Sequence, residues 1–401
     1  MSMIGWRAVA LSMLACAGMA PAEARQFTAL YNFTGAADGA NPREGTILLG
    51  GNLYGVTANG GSLNGGGTGC GTVFKIDAHT GAETTLHVFG CNNGLDGSGP
   101  NSNLVYHRGR LYGTTGEGGL GELHFGTVFS VVPATGAETV VYSFSEVDIV
   151  FPGGGVTLHR GVLYGGAEQG ENSGIPGGGA VFGVDLATGQ IAGGVPLQCV
   201  LQAGNVTGPV SFVAKSVFGV GSTVNSPQCA GGLLQNGAVF KFSLDNATAL
   251  YSFKGAAAQD GAGPVGSLVV LPHAIYGATV SGGLSGCGVG GCGTVYMVTP
   301  HNGHETILHR FSGGADGTNP VGGLTLMGGV LYGTTAADGA NGAGTIFVVT
   351  PVTGTYQKQY DFVGGTDGSG PGPLYAGNGV LYGTASEGGT DGYGTVFKLR
   401  P

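Results

Sequence analysis

Charge is what this sequence has least of. Only 14 Lys and Arg and 23 Asp and Glu occur in 401 residues, and the net charge is −9. No basic stripe is available to neutralise phosphates, so a nucleic-acid partner is not expected. Helical periodicity is missing beyond the N-terminal two dozen residues, which sets helical fold classes aside. No later apolar run is long enough to span a bilayer. Glycine is abundant, at 87 residues, but without the triplet period of collagen. Aliphatic and aromatic residues are too plentiful for a disordered chain.

Residues 1–24 read as a cleaved signal peptide. Arg7 gives the positive start, Ala8 to about Met19 the apolar stretch, and Ala22-Glu23-Ala24 the small-x-small site before Arg25. A lipoprotein anchor at Cys16 is the weaker reading, because Leu14-Ala15-Cys16 matches that motif imperfectly. A secreted or periplasmic location follows. Six cysteines remain after cleavage, an even number that suits disulfides in an oxidising compartment.

The rest of the chain, 25–401, is built on a repeat. Its first signature is Leu331-Tyr332-Gly333-Thr334-Thr335, which recurs at Leu53, Leu111, Leu163 and Leu381, as Ile275-Tyr276-Gly277, and eroded as Val217-Phe218-Gly219. Its second is Gly344-Thr345-Ile346-Phe347, which recurs at Gly71, Gly126, Gly179, Gly237, Gly293 and Gly394. Between them lie a Tyr-x-Phe or His-x-Phe strand end, as in Tyr360-Asp361-Phe362, and a turn with Asp or Asn four residues before Pro, as in Asp367/Pro371. Alternating apolar residues and Gly/Asn/Asp punctuation make each unit four short strands. Strand A follows the proline, B carries Leu-Tyr-Gly, C carries Gly-Thr-Val-Phe, and D ends in Tyr-x-Phe.

The spacing from C to D and from A to B is nearly fixed, whereas the step from B to C runs from 13 to 20 residues. The B–C and D–A connections of a four-stranded meander emerge on one face, so variation concentrates there, as on a binding face. Seven units of 50–58 residues predict a seven-bladed β-propeller of four-stranded blades. A lone D strand at about Gln26–Phe33 is expected to pair with the C-terminal C strand, closing the last blade and removing two loose edges.

These motifs closely resemble the GloVer repeat of secreted bacterial proteins, and the order of the pieces is similar to a kelch blade. The resemblance covers essentially all of 25–401. It implies an extracellular or periplasmic protein and carries no catalytic residues with it.

Chemistry-bearing motifs are few. Gly286-x-Gly288-x-x-Gly291 matches a dinucleotide fingerprint only formally, since no helix follows it. The Asp/Asn-to-Pro turns read as side chains capping their own turns rather than calcium ligands. Cys287 and Cys292 share one B–C loop, Cys70 precedes a C strand, and Cys91 follows the D strand beside it. The expected disulfides are therefore 70–91, 287–292 and, by remainder, 199–229. No metal site is expected, because no His or further Cys pair stands at ligand spacing. His87 and His309 replace the strand-D Tyr and read as packing residues.

The B–C loops carry Glu117, Glu122, His124, Glu168, Glu171, Asp338, Glu387 and Asp391, and neither Lys nor Arg. These eight are the candidate binding residues of an acidic, glycine-rich face. Cations that would hold a uronic-acid polymer are missing from it. The function expected is a non-catalytic binding scaffold without a cofactor, its partner a neutral glycan or a cell-surface protein. The alternative is a glycan hydrolase pairing Glu117 or Glu122 with Glu168 or Glu171, which requires carboxyl groups roughly 5–10 Å apart.

Overall fold

The computed structural model describes residues 25–61, 69–91, 95–120, 124–145, 149–170, 180–196, 203–206, 208–213, 216–223, 236–243, 246–288 and 290–401. The leader 1–24 with Cys16, the candidate residues Glu122 and Glu171, and the cysteines Cys199 and Cys229 lie outside these residues, as does the side chain of Glu168.

The described chain is all-β, with three single-turn 3-10 helices as its only helical elements. One unit shows the pattern. Thr318–Met327, Val330–Ala337, Thr345–Val349 and Tyr356–Asp361 pair antiparallel in chain order. Strands B and C are buried on both faces and D is half-buried. The short A–B connections are two-residue turns; at Arg108-Gly109, Arg160-Gly161 and Asn378-Gly379 both residues have positive φ. That geometry matches the strand twist and holds these hairpins to one length.

The two signatures recur together because they touch. The glycine of Leu-Tyr-Gly faces the aromatic ring of Gly-Thr-Val-Phe across the B–C pair. A Cβ at Gly55 would lie 2.5 Å from Phe74, and one at Gly383 2.5 Å from Phe397, with Gly333 placed likewise against Phe347. Those rings are fully buried. The last Thr of strand B and the first of strand C meet Oγ1 to Oγ1 at 2.9 Å, in Thr57/Thr72, Thr115/Thr127, Thr279/Thr294 and Thr335/Thr345.

The aspartate turns are latches. Tyr31 donates to Asp38 Oδ2 at 3.0 Å, Tyr251 to Asp260 at 2.8 Å and Tyr360 to Asp367 at 2.8 Å. The backbone amides of Thr34, Lys254 and Val363 donate to the same carboxylates. His87 and His309, expected as packing residues, occupy the tyrosine position and lie 2.9 and 3.2 Å from Asp96 and Asp316. Tyr and His interchange there because each puts a polar atom within hydrogen-bond reach of the same carboxylate.

Neighbouring units are locked by the turn proline. Pro100 packs on Gly71, Pro152 on Gly126, Pro264 on Gly237, Pro320 on Gly293, Pro371 on Gly344 and Pro42 on Gly394. Each glycine has positive φ, and in each case a Cβ would meet the proline ring of the next unit at 2.9 Å or less. Cys70–Cys91 and Cys287–Cys292 are disulfide-bonded, as the spacing predicts.

The arrangement is propeller-like, but seven separate blades are not what the hydrogen bonding gives. Five sheets of four or five strands stand apart, and an eight-stranded sheet spans Gly261 to Asp361. In that sheet the strands Gly261–Leu271 and Thr318–Met327 join through a single parallel bridge, Ser267 to Gly323. The cause is local: Gly266, Gly322 and Gly323 lack side chains, so the two backbones come close enough to bridge. The N-terminal strand Gln26–Asn32 pairs antiparallel with the C-terminal strand Thr395–Arg400.

Candidate functional site

The first strands of the units, together with the segments leading into them, surround a cavity of about 840 Å³. Apolar side chains and glycine backbone make up most of its wall, including Ile47, Leu104, Val265, Val321, Pro209 and Leu374. Its volume lies in the range typical of ligand pockets.

Two charged residues line it, Arg43 and Glu44, adjacent in sequence. They belong to the segment between the turn proline Pro42 and the strand Ile47–Leu49. The last unit fixes this segment: Thr384 Oγ1 donates to the Glu44 carbonyl at 2.9 Å, and a Cβ on Gly372 would lie 2.5 Å from the Arg43 carbonyl oxygen. Arg43 is exposed and Glu44 half-buried. Removal from bulk water pushes the Glu44 carboxyl up to about 7, against the pull of Arg43. Thr46 is 3% exposed, lines the same cavity, and its hydroxyl has no hydrogen-bond partner among the described residues.

Several polar side chains on or beside these first strands are committed to the fold. Asn103 holds the Val156 amide and carbonyl at 2.8 and 3.1 Å. Ser102 accepts from the Thr114 amide, Ser211 donates to the Leu268 carbonyl, and Thr325 to the Leu374 carbonyl. The side chains of Arg43 and Glu44 make no hydrogen bond or ion pair with any described residue.

The loop residues are more dispersed. Glu117 is exposed and borders a second cavity of about 390 Å³ with Asn59 and Asn101. His124 adopts φ 52° and its Nδ1 lies 3.2 Å from the Gly119 carbonyl. Asp338 accepts from the Gly314 amide at 3.1 Å, a turn-holding role. Glu387 and Asp391 are exposed. No cluster of three or more His, Cys, Asp or Glu among the described residues is placed to hold a metal. No helix among them is long and apolar enough to cross a membrane.

Reading the loops by charge missed Arg43 and Glu44, although the signal was available. The two residues after the turn proline are Asn-Ser, Gly-Gly, Val-Ser, Val-Gly, Val-Gly and Gly-Pro in the other units. Only the first unit places charges there.

Fold and site together define an all-β repeat protein with a propeller-like arrangement around an axial cavity. The chain belongs to the Gloeobacter/Verrucomicrobia repeat family, whose sequence profile matches residues 19–182 and 215–401. No curated protein matches it. Its fold is similar to that of an oligogalacturonate lyase in complex with manganese, at 14% identity over 93% of this chain and 92% of the other, with a TM-score of 0.53. An oligogalacturonate lyase from Vibrio parahaemolyticus matches at 12% identity over 93% of each chain, TM-score 0.52. The extracellular domain of a B. thetaiotaomicron protein assigned as a one-component system matches at 11% identity, over 93% of this chain and 40% of the other, TM-score 0.57. At such identities the likeness is one of fold alone.

Proposed function

We propose that the protein is a secreted, non-catalytic binding scaffold: a closed ring of seven blades that holds a ligand on its axis and surrounds the entrance with its variable acidic loops. The observation that carries this reading is the axial cavity, in which the side chains of Arg43, Glu44 and Thr46 have no partner among the described residues while Asn103 and Ser386 are engaged.

Seven blades are supported by seven apolar clusters, each spanning two successive units. One of them, with Phe33, Leu53, Phe74, Tyr382 and Val396, joins the last unit to the first. On this reading the eight-stranded sheet is two blades touching at one bridge. The Pro42 contact on Gly394 and the pairing of the terminal strands favour closure. Export is supported by the leader-like N-terminus and by two disulfides, which persist in oxidising compartments. The lyase neighbours do not transfer an activity, since fold does not fix chemistry. Hydrolysis by Glu117 or Glu122 with Glu168 or Glu171 has no pair of described side chains to support it.

The test is the thermal midpoint of residues 25–401 with neutral sugars, uronic acids, amphiphiles and metal ions, alongside a product assay. A ligand at a hundred times its dissociation constant adds about 2.7 kcal/mol. A shift from one class without turnover is the expected result. Turnover, or no shift from any class, contradicts the proposal.

A further inference from the structure

Building on the axial-site reading, we propose that the cavity takes a neutral carbohydrate, held by Glu44 and Arg43 through its hydroxyl groups and stacked on Tyr106 and Tyr375. Seven similar units contribute equivalent segments to the axis, but the chemistry is gathered in one sector. Arg43, Glu44 and Thr46 come from the first unit, Tyr106 from the second and Tyr375 from the last, the two units flanking it. The facing sector offers Pro209, Val265, Gly266, Val321 and Gly322, which leave room and add no charge.

The polar set matches a sugar better than an ion. With its carboxyl pushed up to about 7, Glu44 is protonated part of the time near neutral pH and can donate as well as accept; a cationic ligand meets Arg43, and an anionic one meets Glu44 whenever it is ionised. A hydroxyl group both donates and accepts, and a vicinal pair can serve the carboxylate and the guanidinium together. Hydrogen bonds to charged groups are the stronger kind, and more so away from bulk water. The Thr46 hydroxyl, buried behind this wall and without a partner among the described residues, is reached only if its side chain turns toward the cavity. Tyrosine gives an apolar face with a polar edge, which suits the mixed surface of a pyranose ring; Tyr106 is 43% exposed. A cavity of about 840 Å³ is large enough for a short oligosaccharide.

The experiment is titration calorimetry of residues 25–401 with maltose, cellobiose and lactose, with galacturonic acid and glucosamine as charged counterparts and octyl glucoside as an amphiphile. A neutral disaccharide is expected to bind best. Glu44→Gln is expected to weaken it at least about tenfold, equivalent to about 1.4 kcal/mol, without lowering the thermal midpoint. Tyr106→Ala, at an exposed position that folding tolerates, is expected to weaken it severalfold. Tighter binding of a charged sugar or of the amphiphile, lost in Arg43→Ala, overturns the carbohydrate class and leaves the axial site standing. Binding of a neutral sugar unchanged by both Glu44→Gln and Tyr106→Ala removes the ligand from the axis. No binding by any probe overturns both readings.

Discussion

At the scale of single residues, buried carboxyls govern how the fold responds to pH. Glu83, Glu138 and Glu305 open equivalent D strands, and burial pushes each up to about 7. The latch aspartates Asp38, Asp96 and Asp260 add to that rise. One oxygen of Glu138 and one of Glu305 are buried without a hydrogen-bond partner among the described residues. A carboxyl with a folded pKa above its unfolded value near 4.5 favours the native state at low pH. Its contribution is complete below about 4.5 and is lost as pH rises through about 7. Urea midpoints are therefore expected to fall between pH 5 and pH 8, and the Glu138→Gln/Glu305→Gln variant to flatten that fall. A midpoint that rises over the same interval contradicts this assignment. The latches give a second expectation. Tyr360→Phe leaves Asp367, 6% exposed, without its hydroxyl donor and should cost about 1–3 kcal/mol by urea denaturation.

At the scale of elements, much of the fold was legible in the sequence. Leu-Tyr-Gly and Gly-Thr-Val-Phe locate strands B and C because glycine and aromatic face each other across the pair. Gly333→Ala is expected to cost about 1–3 kcal/mol by overpacking against Phe347. Phe347→Leu in the same chain should return part of that loss, a coupling that a double-mutant cycle measures. The disulfide between Cys70 and Cys91 could be placed because those residues flank a paired C and D strand. Replacing both by Ala should cost about 3 kcal/mol for a loop of this size, read from the shift in urea midpoint. Other features were hidden. The aspartate latch needs the three-dimensional register of strand D against its turn, so His87 and His309 read as mere packing. The candidate site was less legible than the fold, because loop charge drew attention to the rim. In the proposed site Arg43 and Glu44 count through their place on the axis, and a place on an axis is a property of all the units at once.

At the scale of the whole molecule, the proposed ring gives the chain a single axis on which the departures of one unit from the repeat can meet a ligand. The eight-stranded sheet shows how near the units come: one bridge between glycine-rich segments merges two of them in hydrogen-bonding terms. Closure is the condition for everything proposed about the axis. Gln26 and Arg400 are partners across the terminal strands and both are exposed. Directly opposed residues of antiparallel strands have Cα atoms about 4.5–5.5 Å apart, within the span of a disulfide. The most direct measurement is therefore non-reducing peptide mapping by mass spectrometry of the Gln26→Cys/Arg400→Cys variant, purified as a monomer. A closed ring gives nearly complete cross-linking of the first strand to the last within one chain. Free thiols at both positions, or cross-links only between chains, would mean that the ring is open and that the axial site does not exist as proposed.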